Sequence, residues 1–467
     1  MPDKTPQTPA EDRLDFKKIL PVFVIVLVDL LGLTVIIPIL PLYSVRFGAD
    51  PLLYGLLGAS YPLMQFIAAP LLGRLSDRVG RKPVLIISQL GTLAGFIILG
   101  FASALWMLFL ARIVDGISGA NISTAQAVIT DSTTEKNRTQ GLGLIGAAFG
   151  LGFVVGPIIA FAALSLSGNN YAVPAFVAAG FSLCSILLTV FWLPETHGPE
   201  RRAELPAREA FSFGALGETL KRPGIGILLV LMFAQQLAFG GFEVMLALFT
   251  LSRLGMDASD NAALFVYTGV IVVAVQGYFV GKWARRFGDR KLIYTGLAAL
   301  AIGLALTGLA PRQPVPWYSK PALEARLAGQ TPEQLHAQLA TAHGLNVSLP
   351  EDTSDGWLGF GWLLVAMIPT SIGGGLLQPS INSLLTKRVE KAEVGTMLGL
   401  STSSYSAANA ITPLVMGLLF ELLGAGAPFI AGGILLAAML LAAFRLITPG
   451  REEIASPGLA RGGAAGG

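Results

Sequence analysis

Side chains able to do chemistry are scarce in this chain, and they stand in unusual surroundings. Asp29, Arg112, Asp115 and Glu243 all interrupt long apolar runs. A charge at the centre of a bilayer costs about 2.5 kcal/mol or more, so each of the four is a functional candidate by default. Asp29 lies eleven residues beyond Lys18, about 16 Å along a helix, which is near the middle of a membrane. Arg112 and Asp115 are three apart, so they share a helix face and can pair. Glu243 follows Gly240 and Gly241, where the backbone is free to loosen. The three histidines, His197, His336 and His343, fall in loops, and the single cysteine, Cys184, sits in an apolar run. No nucleophile beside a base, no metal-ligand spacing and no phosphate-cradling loop is present, so the chain reads as a non-enzyme without metal or cofactor. What remains is proton traffic on carboxylates. Burial resists ionisation of an acid and a nearby guanidinium favours it, so an acid whose surroundings change can load and release a proton. Asp29 is the expected principal proton site, with Arg112 and Asp115 as a switchable pair. The alternatives are a permanent structural ion pair at Arg112–Asp115 and, for Glu243, a side chain that merely faces an outer vestibule.

The elements that hold these residues follow from composition. Of 467 residues 53% are apolar and 13% charged, which excludes a soluble enzyme, a disordered protein and a nucleic-acid binder. A bilayer core needs roughly 20 apolar residues per helix, because lipid offers no partner to a free backbone group. Twelve such runs occur, near 20–43, 52–73, 83–102, 105–129, 140–164 and 171–193, then 224–250, 262–282, 291–310, 357–385, 395–421 and 427–446. The first is too long for a signal-peptide core and stays as a span. Positive charge orients the set. With the N-terminus in the cytoplasm, 26 of the 32 Lys and Arg fall on cytoplasmic segments, five outside, and Arg112 within the membrane.

The halves repeat. Gly73-Arg-Leu-Ser-Asp77-Arg78-Val-Gly80-Arg81-Lys returns from Gly281 to Gly288 at an offset of 208, and Pro157 is matched by Pro413 at an offset of 256. The difference, 48 residues, locates an outer-face insertion at 311–356, in which Pro321 to His343 is expected to form a surface helix. The expected organisation is a cytoplasmic tail 1–19, a six-helix bundle 20–193, a cytoplasmic linker 194–222, a second bundle 223–446 carrying the insertion, and a cytoplasmic tail 447–467.

This all-α membrane pattern, twelve transmembrane helices in two pseudo-symmetric bundles, resembles the major facilitator superfamily over nearly the whole chain. Gly73 to Lys82 is similar to its signature loop. Leu108-Phe-Leu-Ala-Arg112-Ile-Val-Asp115-Gly116 resembles its fourth-helix motif with Asp115 where Gln is usual. Gly152-Phe-Val-Val-Gly156-Pro157-Ile-Ile-Ala160 resembles the antiporter motif with Ala160 for Gly. Asp29-Leu-Leu-Gly32 through Pro38 and Pro41 looks like the branch of tetracycline and multidrug:proton antiporters. The resemblance implies a monomeric inner-membrane exporter that trades a hydrophobic or amphipathic small molecule for protons by alternating access. A lipid or sugar carrier on the same scaffold and a nontransporting membrane sensor are the alternatives. The third and ninth spans hold no acid, where tetracycline exporters carry further carboxylates, so tetracycline itself is doubtful as substrate.

Superfamily members bind substrate at midplane between the halves. The polar and aromatic residues expected there are Tyr61, Asn121, Gln126, Gln235, Gln236, Phe239, Phe242, Gln378, Asn382, Tyr405 and Asn409, although each amide could equally bridge two helices. The expected gate is Gly73, Asp77, Arg78, Gly80 and Arg81, with Asp77 latching onto the positive end of the eleventh span near Gly395 and the basic residues reaching Asp131 or Glu135. Gly73 is expected to let the second span lie close against a neighbour. Gly152, Gly156 and Pro157 are expected to make a tight seam between the halves.

Overall fold

The computed structural model describes residues 16–119, 121–133, 138–196, 217, 219–222, 224–328, 347–351, 355–389 and 393–447, and Glu135 falls outside them. Its helices are α1 (Phe16–Ile36), α2 (Leu40–Arg46), α3 (Pro51–Val79), α4 (Arg81–Gly100), α5 (Leu105–Ser118), α6 (Asn121–Asp131), α7 (Arg138–Leu166) and α8 (Ala172–Trp192). There follow α9 (Gly226–Leu254), α10 (Ala258–Phe287, with a π-helical turn at Val275–Phe279), α11 (Asp289–Gly308), α12 (Lys320–Ala328), α13 (Trp357–Lys387), α14 (Val394–Leu423) and α15 (Ala427–Leu446). Ten described helices are long and apolar enough to cross a membrane. The expected span at 105–129 is built as α5 and α6, and the one at 140–164 as α7.

The first span ends sooner than its apolar run suggests. Pro38 cannot donate a helical hydrogen bond, so the chain turns after Ile36 and restarts at Leu40. Pro157, by contrast, lies inside an unbroken α7. Both copies of the repeated loop turn at their second glycine, Gly80 at φ 118° and Gly288 at φ 81°, a backbone region that a side chain would strain. The first glycine does not have the packing role expected of it. Among the described residues a Cβ on Gly73 would meet nothing within 4 Å.

Contacts divide the chain into two compact units. The first contains 1–210, 247–269 and 314–355, and the second 211–246, 270–313 and 356–467. In the first, α1 packs on α7 and α8, α4 on α5 and α8, and α3 on α5. Its core joins Ile19, Val22, Ile25 and Leu30 to Leu85, Val128, Ile145 and Leu193. The α7 glycines expected to seal the halves admit α1, while α7 also meets α10, a helix of the second half whose start falls in this unit. A Cβ on Gly156 would collide with Thr34, and one on Gly152 would stand 3.5 Å from Leu30. The neighbouring Phe153 and Val154 meet Gly269 of α10 in the same unit.

Charged clusters tie the loop ends. Arg81 is 4% exposed; it donates to Asp77 at 2.6 Å, to Asp131 at 3.1 Å and to Ser76 at 2.7 Å, and its backbone N–H donates to Glu195 at 3.0 Å. Asp77 is therefore engaged by Arg81 within its own unit, and the expected reach to Asp131 is made by Arg81. In the second unit Asp289, 6% exposed, accepts from Lys387 and from Ser383 at 2.9 Å. Arg78 is exposed on α3.

The insertion is anchored as well. Asp257, ahead of α10, accepts from Arg326 of α12 at 2.8 Å and from Asn169 at 2.8 Å. The Trp317 indole N–H donates to both oxygens of Asp260 at 3.2 Å. Of the helix expected over Pro321–His343, the part described is α12, Lys320–Ala328, and residues 329–346 lie outside the described ones.

Candidate functional site

Within the first unit five helices bring the rare charges together. Asp29, half-buried on α1, and Asp115, 3% exposed on α5, line one small cavity with Tyr61 of α3, Thr92 and Phe96 of α4, and Ile122 of α6. The cavity holds about 10 Å³, close to the room a single water needs. Arg112, one turn before Asp115, donates to it at 3.2 Å. Its guanidinium carbon also sits 4.3 Å from the centre of the Tyr61 ring, a cation–π contact. Tyr61, expected from the sequence as a wall for substrate, lines this water-sized cavity, and its ring also lies under Arg112.

Small residues let the helices close around this group, and composition alone gave no hint of which ones matter. A Cβ on Gly95 would stand 2.9 Å from the Asp115 Cβ and 3.0 Å from the Ala111 carbonyl oxygen. On Gly116 it would stand 2.6 Å from the Tyr61 carbonyl oxygen, and on Gly119 2.5 Å from the Tyr61 hydroxyl. Gln65, one turn beyond Tyr61, donates to the Gly119 carbonyl at 2.7 Å and so ties α3 to the end of α5. The Gly91-x-x-x-Gly95 and Gly116-x-x-Gly119 spacings were legible as close-approach signals; Gln65 and Thr92 carried none.

The arrangement thus sets two acids on one cavity with a guanidinium beside one of them. The low local dielectric makes the 3.2 Å link between Arg112 and Asp115 sensitive to the charge on Asp29 across the cavity.

The second unit answers with amides and aromatics. Gln236, 2% exposed on α9, donates to Asn409 of α14 at 2.6 Å. The Gln235 side-chain oxygen, equally buried, accepts no hydrogen bond among the described residues. Asn382 of α13 accepts from Ser401 of α14 at 2.7 Å. Three of the expected ligand amides, Gln236, Asn409 and Asn382, thus bridge helices, the alternative already open from sequence. Phe239 and Phe242 stack at 6.0 Å. Phe242 is 2% exposed and also meets Phe429 edge-on at 6.3 Å, so it is core packing, not the cavity wall expected of it. Tyr405 and Gln378 are half-buried, as is Gln126 on α6 of the first unit, while Asn121 opens α6 with its side chain outside the described residues. Glu243 is half-buried and makes no hydrogen bond or ion pair among the described residues. The sequence grouped it with Asp29 and Asp115; it belongs to the other unit's set of residues.

Comparison with known proteins adds the family context. A family model described as Major Facilitator Superfamily matches residues 22–319 and 354–464. The stretch it passes over falls inside the insertion. Tetracycline resistance protein, class B, of Escherichia coli is 28% identical over 401 residues, covering 85% of this chain and 87% of that one. Multidrug resistance protein 2 of Bacillus subtilis (strain 168) is 29% identical over 289 residues, 60% of this chain and 71% of that one. Among solved structures, the human organic anion transporter MFSD10 superposes with a TM-score of 0.59 at 22% identity, covering 94% of this chain and 100% of that one, a likeness of fold.

Proposed function

The chain belongs to the major facilitator superfamily, and from that premise we propose that it is a proton-coupled antiporter expelling hydrophobic or amphipathic, drug-like molecules by alternating access. It is a multi-pass membrane transporter, and the names of its relatives point to efflux. The observation that carries the coupling is the joint placement of Asp29 and Asp115 on one water-sized cavity with Arg112 as counter-charge. Asp29 takes up the proton; its change of charge shifts the Arg112–Asp115 pair, which in turn alters how α1, α3, α4 and α5 pack. Tyr61 holds Arg112 in reach. Substrate contacts fall to Gln126 and Asn121 in one unit and to Gln235, Phe239, Gln378 and Tyr405 in the other, with Glu243 a further acid available to a proton or a cationic substrate.

Neutral or cationic molecules fit this inventory better than anions, and the lack of acids in 83–102 and 291–310 argues for a substrate other than tetracycline. Both termini are placed in the cytoplasm by the distribution of Lys and Arg, the membrane is the cell's inner one, and the working form is a monomer. The loop at Gly73–Lys82 serves as the cytoplasmic gate, with the pairing of Asp77 and Arg81 holding its closed form. Gly152, Gly156 and Pro157 fix α7 against α1 so that the gate moves with the bundle. The test is flux in proteoliposomes under an imposed pH gradient. Asp29→Asn should abolish gradient-driven flux while the protein still folds, and normal flux in that variant would refute the coupling.

A further inference from the structure

The end of α10 carries a surface that the transport scheme does not use. After the π-helical turn at Val275–Phe279, none of the residues Val280–Phe287 is buried. The turn re-registers the helix, so that Val275, Trp283 and Ala284 pack inward with Leu292 and Leu376 while Tyr278, Lys282, Arg285 and Arg286 stay exposed. Lys282 sits over the Tyr278 ring at 4.3 Å and donates to its hydroxyl at 2.5 Å. Phe279 stacks on Trp283 at 4.9 Å. None of Lys282, Arg285 and Arg286 pairs with a carboxylate among the described residues, and Asp289, the nearest acid in sequence, is engaged by Lys387.

The matching stretch of the first repeat is different in kind. There Pro70, Leu71, Leu75 and Val79 stand at the positions of Tyr278, Phe279, Trp283 and Phe287, and Asp77 stands where the second copy has Arg285. Orientation by positive charge asks only for Lys and Arg, and does not ask for aromatic partners or for the loss of the acid. The geometry points to a docking site for the headgroup of an anionic phospholipid: three uncompensated cations for the phosphate, and Tyr278, Phe279 and Phe287, 58%, 36% and 47% exposed, at the level where aromatic rings sit between headgroup and chain. Charge complementarity and the place of the patch at the end of a membrane-spanning helix both select a lipid over a soluble acid.

The test uses the purified full chain in detergent, titrated with phosphatidylglycerol or phosphatidylcholine while its thermal unfolding midpoint is followed. Phosphatidylglycerol should raise the midpoint of the parent and phosphatidylcholine should not. K282Q/R285Q/R286Q should need much more phosphatidylglycerol for the same shift, about fivefold per charge removed. A charge-matched control, K18Q/R74Q/R445Q, should respond like the parent. Soluble glycerol phosphate should not stabilise the parent. The inference is overturned if the patch variant responds like the parent, if the control loses as much, or if glycerol phosphate stabilises equally. Should the triple variant fail to fold, R285Q and Y278A separately give the same reading.

Discussion

At the loop ends of the two units the same bond is made with the signs exchanged. Arg81 to Asp131 in the first unit becomes Asp289 to Lys387 in the second, and the partners are related by the offsets 208 and 256 that relate the repeats themselves. At mid-bundle the repeat fails. By those offsets Asp29, Arg112 and Asp115 correspond to Leu237, Ile368 and Ser371, none of them charged. The scaffold keeps a pinned loop in both units and keeps the Asp29, Arg112 and Asp115 cluster in one. Ion pairs at the ends therefore belong to the architecture, whereas that cluster at the centre is local to one unit and needs a functional reason, since membrane burial of a charge is costly.

That contrast can be broken at its centre or at its ends. The largest effect is expected at the centre: Asp115→Asn should bring pH-gradient-driven flux in proteoliposomes to background, and adding Asp29→Asn should lower it no further, because residues acting as a unit are not additive. At the ends, Arg81→Ala leaves Asp77 and Asp131 without their buried partner and should cost about 3 kcal/mol in an unfolding titration. Lys387→Ala should cost less, about 1 kcal/mol, since Lys387 is half-exposed. In the second unit, Gln236→Leu removes one buried hydrogen bond between α9 and α14 and should cost about 1 kcal/mol in the same titration, leaving the pH profile of flux unmoved. Smallest is Arg326→Ala in the insertion: its exposed pair with Asp257 is worth under about 1 kcal/mol in the same unfolding titration.

Much of this was readable in the chain. Apolar runs located the helices because lipid forbids unpaired backbone, and Gly80 and Gly288 marked loops that only a positive φ can turn. The Arg112–Asp115 pair followed from spacing on one helix. Beyond the link from Arg81 to Asp131, partners between helices did not follow. Nothing about Tyr61 in the sequence gives a sign of the guanidinium above its ring, and Phe242 looked like a pocket wall because a buried aromatic and a lining aromatic have the same sequence. Gly152 and Gly156 announced a close contact correctly, but small-residue spacing does not say with which helix. Gly73 shows the opposite failure, a glycine in a signature loop with open space around it among the described residues.

The most direct measurement is substrate-induced proton release from the purified protein in weakly buffered detergent, read with a pH dye. The parent should release protons when substrate is added, and the double variant Asp29→Asn, Asp115→Asn should bind the same substrate and release none. Proton release by the double variant equal to that of the parent would contradict the account and place the exchange elsewhere in the molecule.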